Sequence, residues 1–217
     1  MQIPSLRTNF PLTKMDTTGL PGNYASWDLF WSDVKPYLGF RKDSFQLIFD
    51  HLKKIESPLI VETGSLRNID GIGGDGISTV MFDRFLQYHG GKGVTIDIQP
   101  SSWQLVSEST RHFKPITGDS IAELAKVEGK ADLLYLDSYD VDWNNPWPSA
   151  AHHLKELFSA NSLLKDGTLI VVDDNQINEA GINSGKGFLI GQYFDFLGIS
   201  PVFSMYQVGW FWKAPTT

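Results

Sequence analysis

Acidic residues close five short apolar segments of this chain. Four segments end in Glu62, Asp97, Asp137 and Asp173, and Asp119 follows the fifth. If these segments are parallel strands, ligands bind beyond their carboxyl ends, at the point where the strand order reverses. Five carboxylates at that end of one sheet therefore predict a polar ligand site there.

The apolar segments alternate with amphipathic stretches of helical period from Pro58 onward, which is typical of a parallel sheet covered on both faces. The predicted parallel strands are LIVE, GVTIDI, KPITG, DLLYLD and GTLIVVDD. Two closing segments, PVFSMY and VGWFWK, have almost nothing between them, so they must pair as an antiparallel hairpin. The chain is therefore predicted to be an α/β protein with a Rossmann-like, doubly wound, mostly parallel seven-stranded sheet and a C-terminal antiparallel hairpin.

The start of the chain lacks this alternation. Residues 1–24 are rich in Pro, Thr and Gly without a clear period, and residues 25–56 carry two amphipathic helical patterns with a break at Pro36. We expect an N-terminal irregular and helical extension over residues 1–56, as a lid or a packing element, and a ligand-binding domain over residues 57–217. The aromatic residues expected to pack the first helix on the sheet are Trp27, Phe30 and Trp31.

Composition narrows the classes of function. The 217 residues include no cysteine, which excludes disulfides, thiolate metal sites and a cysteine nucleophile, and fits a reducing compartment. The net charge is −7 and no basic run stands out, so we expect no nucleic-acid partner. No apolar run approaches the ~20 residues of a membrane span, and no signal peptide is evident. We expect a cytoplasmic protein with a small-molecule substrate and no membrane partner, and a homo-oligomer stays open.

Glu62 and Asp97 form the first group of candidate residues. A carboxylate at the end of the second strand suits a ribose diol, because its two oxygens accept both hydroxyl protons. The alternative for Asp97 is a helix N-cap, although Ser101 is better placed for that role. Asp119 and Ser120 are expected either to cap the next helix, with Glu123 in capping-box register to Ser120, or to contact an adenine, and both roles are compatible.

Asp137, Asp173, Asp174 and Asn175 form the second group. Three carboxylates at neighbouring strand ends repel each other, and a hard divalent cation such as Mg²⁺ relieves that cost with oxygen ligands. The alternative is a set of solvated strand-end acids. Asp140 stands three residues after Asp137 and is expected to accept a proton from a substrate hydroxyl, to be an ordinary loop acid, or to be another metal ligand.

At this point the residues resemble a known family. The features that carry the resemblance are IVETGS, TIDI, GDS, DLLYLDSYD, VVDDN and the closing hairpin, and they cover about residues 58–213. They resemble the class I S-adenosylmethionine-dependent methyltransferases, and are most similar to the metal-dependent O-methyltransferases of the catechol type and of the macrolide and aminocoumarin sugar type. The chain also resembles bacterial proteins with an ETG…GDG…ST loop. The resemblance implies that residues 57–217 are a methyltransferase domain.

The resemblance implies a role for each strand end. In that family the acid-x-Gly motif after strand one approaches the methionine part of the cofactor, the acid ending strand two holds the ribose, and the residues after strand three flank the adenine. The implied S-adenosylmethionine-binding residues are Glu62, Thr63, Gly64, Ser65, Asp97, Ile98, Gly118, Asp119, Ser120 and Asp137.

The resemblance also implies a metal site. The acid ending strand four is a metal ligand in that family, which matches Asp137. The pair ending strand five supplies two more ligands, Asp174 and Asn175 in the catechol type or Asp173 and Asp174 in the sugar type, and both registers stay open. Several relatives place Lys or His as the base two or three residues after the strand-four ligand, where this chain has Asp140, so the base assignment departs from the pattern.

The implied activity is a Mg²⁺-dependent O-methyltransferase that acts on a hydroxyl of a small molecule such as a sugar, a polyketide or a phenol. Asp137 and Asp140 are the candidate catalytic residues. The segment GINSGKG, residues 181–187, is predicted to be a mobile lid, with Lys186 as a contact for an anionic substrate group or for the helix start. The other candidate substrate contacts are Tyr139, Trp143 and Trp147.

GIGGDG, residues 71–76, matches the G-x-G-x-x-G fingerprint of NAD-dependent oxidoreductases. Asp97 lies 21 residues after Gly76, close to the ~20 residues expected for the acidic residue of that fingerprint. The fingerprint requires its first glycine directly after strand one, whereas Gly71 lies nine residues beyond Glu62. The inserted residues 66–76 are interpreted as a loop that projects towards cofactor or substrate, with Arg67, Asp70 and Asp75 as candidate contacts, or as a plain surface loop. An oxidoreductase, a non-catalytic nucleotide-binding module and a nucleotide-sugar transferase are the alternatives.

Overall fold

The computed structural model describes residues 24–68, 77–179 and 181–214. The first 23 residues and most of the insert after the first strand lie outside this range. The GIGGDG segment and the candidate contacts Asp70 and Asp75 fall in that undescribed part of the chain.

A seven-stranded sheet forms the centre of the fold. Its strand order is β3-β2-β1-β4-β5-β9-β8, with β1 to β5 parallel and with β9 antiparallel to both of its neighbours. The prediction of a mostly parallel sheet with a C-terminal antiparallel hairpin is confirmed. The strands, including a separate pair β6 and β7, are β1 (Leu59–Thr63), β2 (Lys92–Asp97), β3 (Phe113–Thr117), β4 (Leu133–Leu136), β5 (Leu169–Val172), β6 (Asn175–Asn178), β7 (Gly181–Gly185), β8 (Phe203–Ser204) and β9 (Val208–Phe211).

Helices cover both faces of the sheet. They are α1 (Trp27–Val34), α2 (Lys42–Leu52), α3 (Ile77–His89), α4 (Pro100–Ser109), α5 (Ser120–Leu124), α6 (Trp147–Ser159) and α7 (Phe188–Phe196). The predicted break at Pro36 is confirmed, because α1 ends at Val34 and two short 3₁₀ turns, Lys35–Tyr37 and Gly39–Arg41, lead into α2. Helix α5 is short, with five residues.

Alternate residues of each central strand pack into opposite layers. On β4, Tyr135 belongs to the hydrophobic cluster formed with α1, α2 and α3, and Leu136 belongs to the cluster formed with α6 and α7. On β5, Val171 and Val172 divide in the same way. Strands buried on both faces explain the nearly continuous apolar segments of the sequence.

Helix α1 packs against α2 and α3, and α2 contacts the sheet through Phe45, whose ring centroid lies 6.0 Å from that of Tyr135 on β4. Trp27, Phe30 and Trp31 are buried, as predicted, and the Trp27 ring lies edge-on to Phe49 and Phe85 with centroids 4.6 and 5.2 Å apart. These aromatic contacts join α1, α2 and α3 into one layer. None of the helices in the described ranges is long and apolar enough to cross a membrane.

The pair β6–β7 was not predicted. The segment interpreted as a lid is the second strand of this antiparallel pair, which begins directly after β5 and aligns Asn175 with Gly185. The sequence did not reveal it because NQIN and GINSG lack the alternation of apolar and polar residues that marks a half-buried strand. The pair matters for the site because it returns the chain to the end of β5.

Candidate functional site

The strand order reverses beside β1, which lies between β2 and β4, and at this point β1 and β4 approach each other closely. Gly64 follows β1 with a φ of 81°, and a Cβ atom there would overlap the carbonyl oxygen of Asp137. The backbone N–H of Asp137 donates to the carbonyl of Thr63 at 2.9 Å, and that of Gly64 donates to Ile96 at 2.9 Å. Only glycine fits this left-handed, crowded position.

Asp97 at the end of β2 is held by two backbone donors. Its Oδ2 accepts from the N–H of Ser65 at 2.9 Å, and its Oδ1 accepts from the N–H of Gln99 at 2.8 Å. The N-cap of α4 is Gln99, so Asp97 does not cap that helix. Its carboxylate is therefore fixed in the cleft, at the position predicted for a ribose ligand.

A pocket opens at the carboxyl ends of β2, β3 and β4. Asp97 and four other candidate cofactor residues lie in its wall, so the fold brings together residues from three separate strand ends. Tyr139, predicted as a substrate contact, lines this pocket too, and Ser138 and His152 were not predicted. The lining residues are Ile96, Asp97, Ile98, Gly118, Asp119, Ser120, Ser138, Tyr139 and His152.

The wall of this pocket formed by Asp119, Ser120 and His152 is polar. Asp119 is the N-cap of α5 and accepts from the N–H of Ala122 at 3.1 Å, so Ser120 is a helical residue and the expected capping box between Ser120 and Glu123 does not form. The hydroxyl of Ser120 instead lies 3.0 Å from Nε2 of His152. The adjacent pair of histidines on α6 could have indicated His152 from the sequence. Two adjacent residues of a helix point in different directions, so one of them can face the cleft.

The two histidines of α6 differ in burial. His153 is fully buried, and burial lowers its pKa to about 4, so its ring is neutral at neutral pH. His152 reaches the pocket, where its ring lies 5.3 Å from that of Tyr139. His152 is therefore the histidine of α6 that lines the pocket.

Glu62 is a buried anchor between β1 and α3. Its carboxylate accepts hydrogen bonds from the hydroxyls of Ser78 and Thr79 at 2.6 Å each and from Thr95 at 2.8 Å. Burial raises the pKa of Glu62 to about 7, against the opposing effect of these hydroxyl donors. The side chain has no exposed surface, so the structure gives it a role in attaching the start of α3, and its contact with the cofactor stays a prediction.

Three carboxylates and two basic side chains form what we call the charged centre: Asp137, Asp173, Asp174, Lys186 and Arg41. The Lys186 ammonium contacts Oδ1 of Asp137, Oδ2 of Asp174 at 2.8 Å and the carbonyl of Asp137 at 3.4 Å. Lys186 is only 1% exposed. It therefore has no open face for an anionic substrate group, which corrects that expectation.

Arg41 reaches the charged centre from the 3₁₀ turn before α2. Its Nε donates to Asp173 Oδ2 at 2.8 Å, and its Nη2 donates to Asp174 Oδ1 at 3.1 Å. The guanidinium also lies 4.7 Å from the centroid of the Tyr206 ring, within the range of a cation–π interaction. Tyr206 in turn donates its hydroxyl to Asp174 at 2.5 Å.

Neutral donors complete the surroundings of Asp173. The hydroxyl of Tyr135 donates to Asp173 at 2.6 Å, and Nε2 of Gln207 donates at 3.2 Å. Ser44 on α2 donates to Gln207 at 2.6 Å. Arg41 and these polar residues were missed at the sequence level. Three neighbouring carboxylates signal that cations are needed, but the spacing along the chain does not identify which cations meet them.

The charges of the centre are strongly coupled. Burial lowers the pKa of Lys186, but Asp137 and Asp174 outweigh that effect and hold it above its ordinary value, so the ammonium is charged. Burial raises the pKa of Asp137 well above its usual range, and Lys186 opposes that effect. Three carboxylates against two cations leave one negative charge in excess when all are ionised.

The residues of the charged centre do not fit the expected Mg²⁺ site. Asn175, an expected ligand, accepts the N–H of Gly187 through Oδ1 at 2.7 Å and donates to two backbone carbonyls through Nδ2. The other expected ligands, Asp137, Asp173 and Asp174, are engaged by Lys186 and Arg41. Within residues 24–68, 77–179 and 181–214, no group of three or more His, Cys, Asp or Glu residues is arranged to hold a metal ion. The predicted ligand set is therefore corrected to an ion-pair network.

Asp140 is paired with Arg67, which follows β1. The two side chains form a double hydrogen bond at 2.9 and 3.0 Å. The hydrogen bond from Arg67 lowers the pKa of Asp140 below its usual range, which weakens the carboxylate as a proton acceptor. The pair joins the loops after β1 and β4 across the cleft, and this assigns a contact to the one candidate residue of the insert that the structure describes.

The two tryptophans of the loop after β4 are partly exposed. Trp143 is 40% exposed and Trp147 is 57% exposed. Trp147 begins α6, and its ring lies edge-on to Phe188, the first residue of α7, at 5.3 Å. Both side chains are accessible to a ligand, and their contact with a substrate stays a prediction.

Residues 72–175, just under half of the chain, match the family model described as a methyltransferase domain. Over these residues the chain is similar to that family, and its sheet has the Rossmann-like fold of the class I S-adenosylmethionine-dependent methyltransferases. No curated protein sequence matches this chain.

Solved structures with a similar fold include two biosynthetic methyltransferases. MycE of the mycinamycin pathway, in complex with Mg and S-adenosylhomocysteine, aligns with a TM-score of 0.59 and 14% identity, over 88% of this chain and 54% of MycE. A MycE complex that also holds mycinamycin VI gives a TM-score of 0.54 at 15% identity, over 88% and 56% of the two chains. CalS11, a TDP-rhamnose 3'-O-methyltransferase of calicheamicin biosynthesis, gives 0.52 at 12% identity, over 88% of each chain. The chain spans about half the length of MycE, and similarity at this identity shows the fold.

Proposed function

We propose that this protein is an S-adenosylmethionine-dependent O-methyltransferase that methylates a hydroxyl of a small molecule. The observation that carries the proposal is Asp97, whose carboxylate is fixed by the backbone N–H groups of Ser65 and Gln99 at the mouth of the pocket. An anchored carboxylate suits the two hydroxyls of a ribose. Gly118, Asp119 and the rest of the pocket wall then surround the adenine.

The acceptor is proposed to bind beside the charged centre. Gly64 brings the end of β1 against Asp137, so the methionine end of a cofactor in the cleft and the charged centre are neighbours. The side chains of Asp137 and Asp174 are 17% and 18% exposed, which leaves carboxylate oxygens accessible for an acceptor hydroxyl. Trp143 and Trp147 supply apolar surface for a sugar, polyketide or phenol ring.

Methyl transfer breaks the bond between sulfur and the methyl carbon and forms a bond between that carbon and the acceptor oxygen, with loss of the hydroxyl proton. The protein must align the oxygen with the sulfonium methyl and accept that proton. Asp137 is proposed as the carboxylate that orients the hydroxyl. Asp140 is the weaker candidate for a carboxylate that contacts the acceptor hydroxyl, because Arg67 donates hydrogen bonds to both of its oxygens.

Calorimetry with S-adenosylmethionine, S-adenosylhomocysteine and NAD tests the cofactor. We expect both adenosyl compounds to bind and NAD to give no signal. Asp97→Asn is expected to weaken S-adenosylhomocysteine binding about tenfold or more, because loss of a charged hydrogen-bond acceptor costs about 1.5–3 kcal/mol. Asp195→Asn, at an exposed position on α7, is the matched control. NAD binding without any signal from S-adenosylhomocysteine would refute the proposal and favour an oxidoreductase.

A second assay tests methyl transfer itself. Formation of S-adenosylhomocysteine is followed with a panel of nucleotide sugars, macrolides and catechols, because sugar, polyketide and phenol hydroxyls are the proposed acceptors. A time-dependent, acceptor-dependent signal supports catalysis. Tight cofactor binding with no turnover on any of the three classes would favour the non-catalytic binding module.

A further inference from the structure

On the footing of the proposed function, we propose that this methyltransferase works without a divalent cation, and that Lys186 and Arg41 permanently neutralise the carboxylates that the resemblance assigned to Mg²⁺. Lys186 is thereby a positioning residue for Asp137 and Asp174, the carboxylates nearest to the proposed acceptor site. The proposal rests on where these two cations lie and on what holds them there.

The backbone fixes the position of Lys186. Its own N–H donates to the carbonyl of Asp174 at 3.1 Å, and the next N–H, of Gly187, donates to Oδ1 of Asn175 at 2.7 Å. The β6–β7 pairing sets Gly185 opposite Asn175, so tightly that a Cβ at Gly185 would overlap the carbonyl oxygen of Asp174. These three contacts hold the backbone of Lys186 at the end of β5. The position of its ammonium therefore does not depend on a free side-chain conformation.

Each N–H donor of the Lys186 ammonium has an acceptor within reach. An ammonium carries three N–H donors, and among the described residues three acceptors lie within its reach: Oδ1 of Asp137, Oδ2 of Asp174 and the carbonyl of Asp137. The residue is 1% exposed. Such a side chain acts on the carboxylates beside it, and a bound substrate contacts those carboxylates and not the lysine.

Arg41, from a distant part of the chain, supplies the second positive charge that compensates the carboxylates. Its guanidinium bonds Asp173 and Asp174, and it is held over the ring of Tyr206. Asp173 also accepts from Tyr135 and Gln207, so its oxygens are surrounded by donors. A divalent cation prefers several oxygen ligands and their full negative charge, and here both are already committed.

Removal of the lysine charge should convert the centre into a metal site. Lys186→Met keeps the length and apolar stem of the side chain and leaves Asp137 and Asp174 with unpaired oxygens facing each other. Mn²⁺ is the probe, because binding depletes the paramagnetic resonance signal of the free ion. We expect the wild-type protein to leave that signal unchanged, and Lys186→Met to bind Mn²⁺ at least about tenfold more tightly than wild type.

Lys165→Met is the matched control. Lys165 is also an ion-paired lysine, with its Nζ 2.6 Å from Asp132, but its side chain is 44% exposed and it meets a single carboxylate. We expect this variant to bind no more Mn²⁺ than the wild type. If Lys186→Met fails to fold, Lys186→Gln and the wild-type titration with Mn²⁺ and Mg²⁺ still decide the question.

Two results would overturn the inference. One is binding of Mn²⁺ or Mg²⁺ by the wild-type protein as tight as that of the lysine variants, and the other is methyl transfer that is lost in a chelator and restored by Mg²⁺. Calorimetry with S-adenosylhomocysteine on the same samples separates this outcome from failure of the proposed function. Loss of cofactor binding in the wild type would refute the methyltransferase, whereas the Mn²⁺ titration reports only on the charged centre.

Discussion

At the scale of single residues, the site is governed by the cost of buried charge. An ionised carboxylate without a partner is costly in the protein interior, so every acidic residue at the strand ends must find a compensating group. Glu62 accepts hydrogen bonds from three hydroxyls, Asp97 accepts from two backbone N–H groups, and Asp137 forms an ion pair with Lys186. The sequence shows the demand for compensation, and the structure shows a different solution for each residue.

Glu62 should make the stability of the protein depend on pH. Its pKa is about 7 in the folded protein, above its ordinary value of 4.5, so the folded state binds more protons than the unfolded state between these values. Its stabilising contribution is complete below about pH 4.5 and is lost as the pH rises through 7. Glu62→Gln should remove this loss, on the order of 3 kcal/mol from such a shift. Urea denaturation at pH 5 and pH 8 measures it.

The control for this prediction is Glu56→Gln, at an exposed position just before β1. We expect that variant to keep the pH dependence of the wild type. If Glu62→Gln also kept the full wild-type difference between pH 5 and pH 8, the raised pKa of Glu62 would be wrong.

At the scale of elements, the β6–β7 pair determines the chemistry of the centre. It turns the chain back immediately after β5, and Asp174, at the turn, has a φ of 53° that is uncommon for a non-glycine residue. Gly185 closes the pair against the backbone of Asp174. A segment that resembles a lid in the sequence thus acts as the support of a buried lysine.

Gly185→Ala tests this support. Gly185 has a φ of 112°, and an added Cβ would overlap the Asp174 carbonyl, so the variant must both strain the backbone and displace the end of β5. Gly181 in the same strand has a φ of 109°, but none of the described residues places an atom within 4 Å of an added Cβ. Gly181→Ala should therefore cost about 1–2 kcal/mol from backbone strain alone, and Gly185→Ala clearly more. Chemical denaturation of both variants gives the difference, and equal losses would show that the close contact is unimportant.

At the scale of the whole molecule, the N-terminal helices and the site form one structure. Arg41 lies 132 residues before its partner Asp173, and the aromatic layer of α1, α2 and α3 fixes the segment that carries it. The extension therefore contributes a charge to the centre as well as apolar surface to the core. A role of the extension as a lid stays a prediction.

Arg41→Met should destabilise the protein by about 3 kcal/mol, because it leaves the buried carboxylate of Asp173 without its cation. The side chains of Arg41 and Asp173 are 19% and 2% exposed, so water replaces little of the lost pairing. The control is Lys53→Met, which removes an exposed pair with Asp28 at 3.3 Å and should cost less than about 1 kcal/mol. Thermal and urea unfolding compare the two variants. A loss for Arg41→Met no larger than that for Lys53→Met would contradict a structural role for this pair.

The sequence by itself determined the sheet and its carboxyl-end carboxylates. Strands buried on both faces must be short apolar segments, and parallel strands need helices between them, so the alternation along the chain is visible without any structure. The sequence also placed Gly64 and Asp97 at strand ends, but the close contact of Gly64 with Asp137 and the anchoring of Asp97 by backbone N–H groups were seen only in the structure. The placement of GIGGDG too far after β1 likewise argued against a dinucleotide site.

Only the tertiary structure decided which groups neutralise the carboxylates. Arg41 and Lys186 come from opposite parts of the chain, and nothing in the residues around them indicates that they meet at Asp174. A metal ion and a pair of buried cations satisfy the same excess of negative charge, and sequence spacing does not distinguish them. The distinction depends on a polar hairpin and a 3₁₀ turn whose positions are set by packing, because long-range contacts carry no local period that a sequence can show.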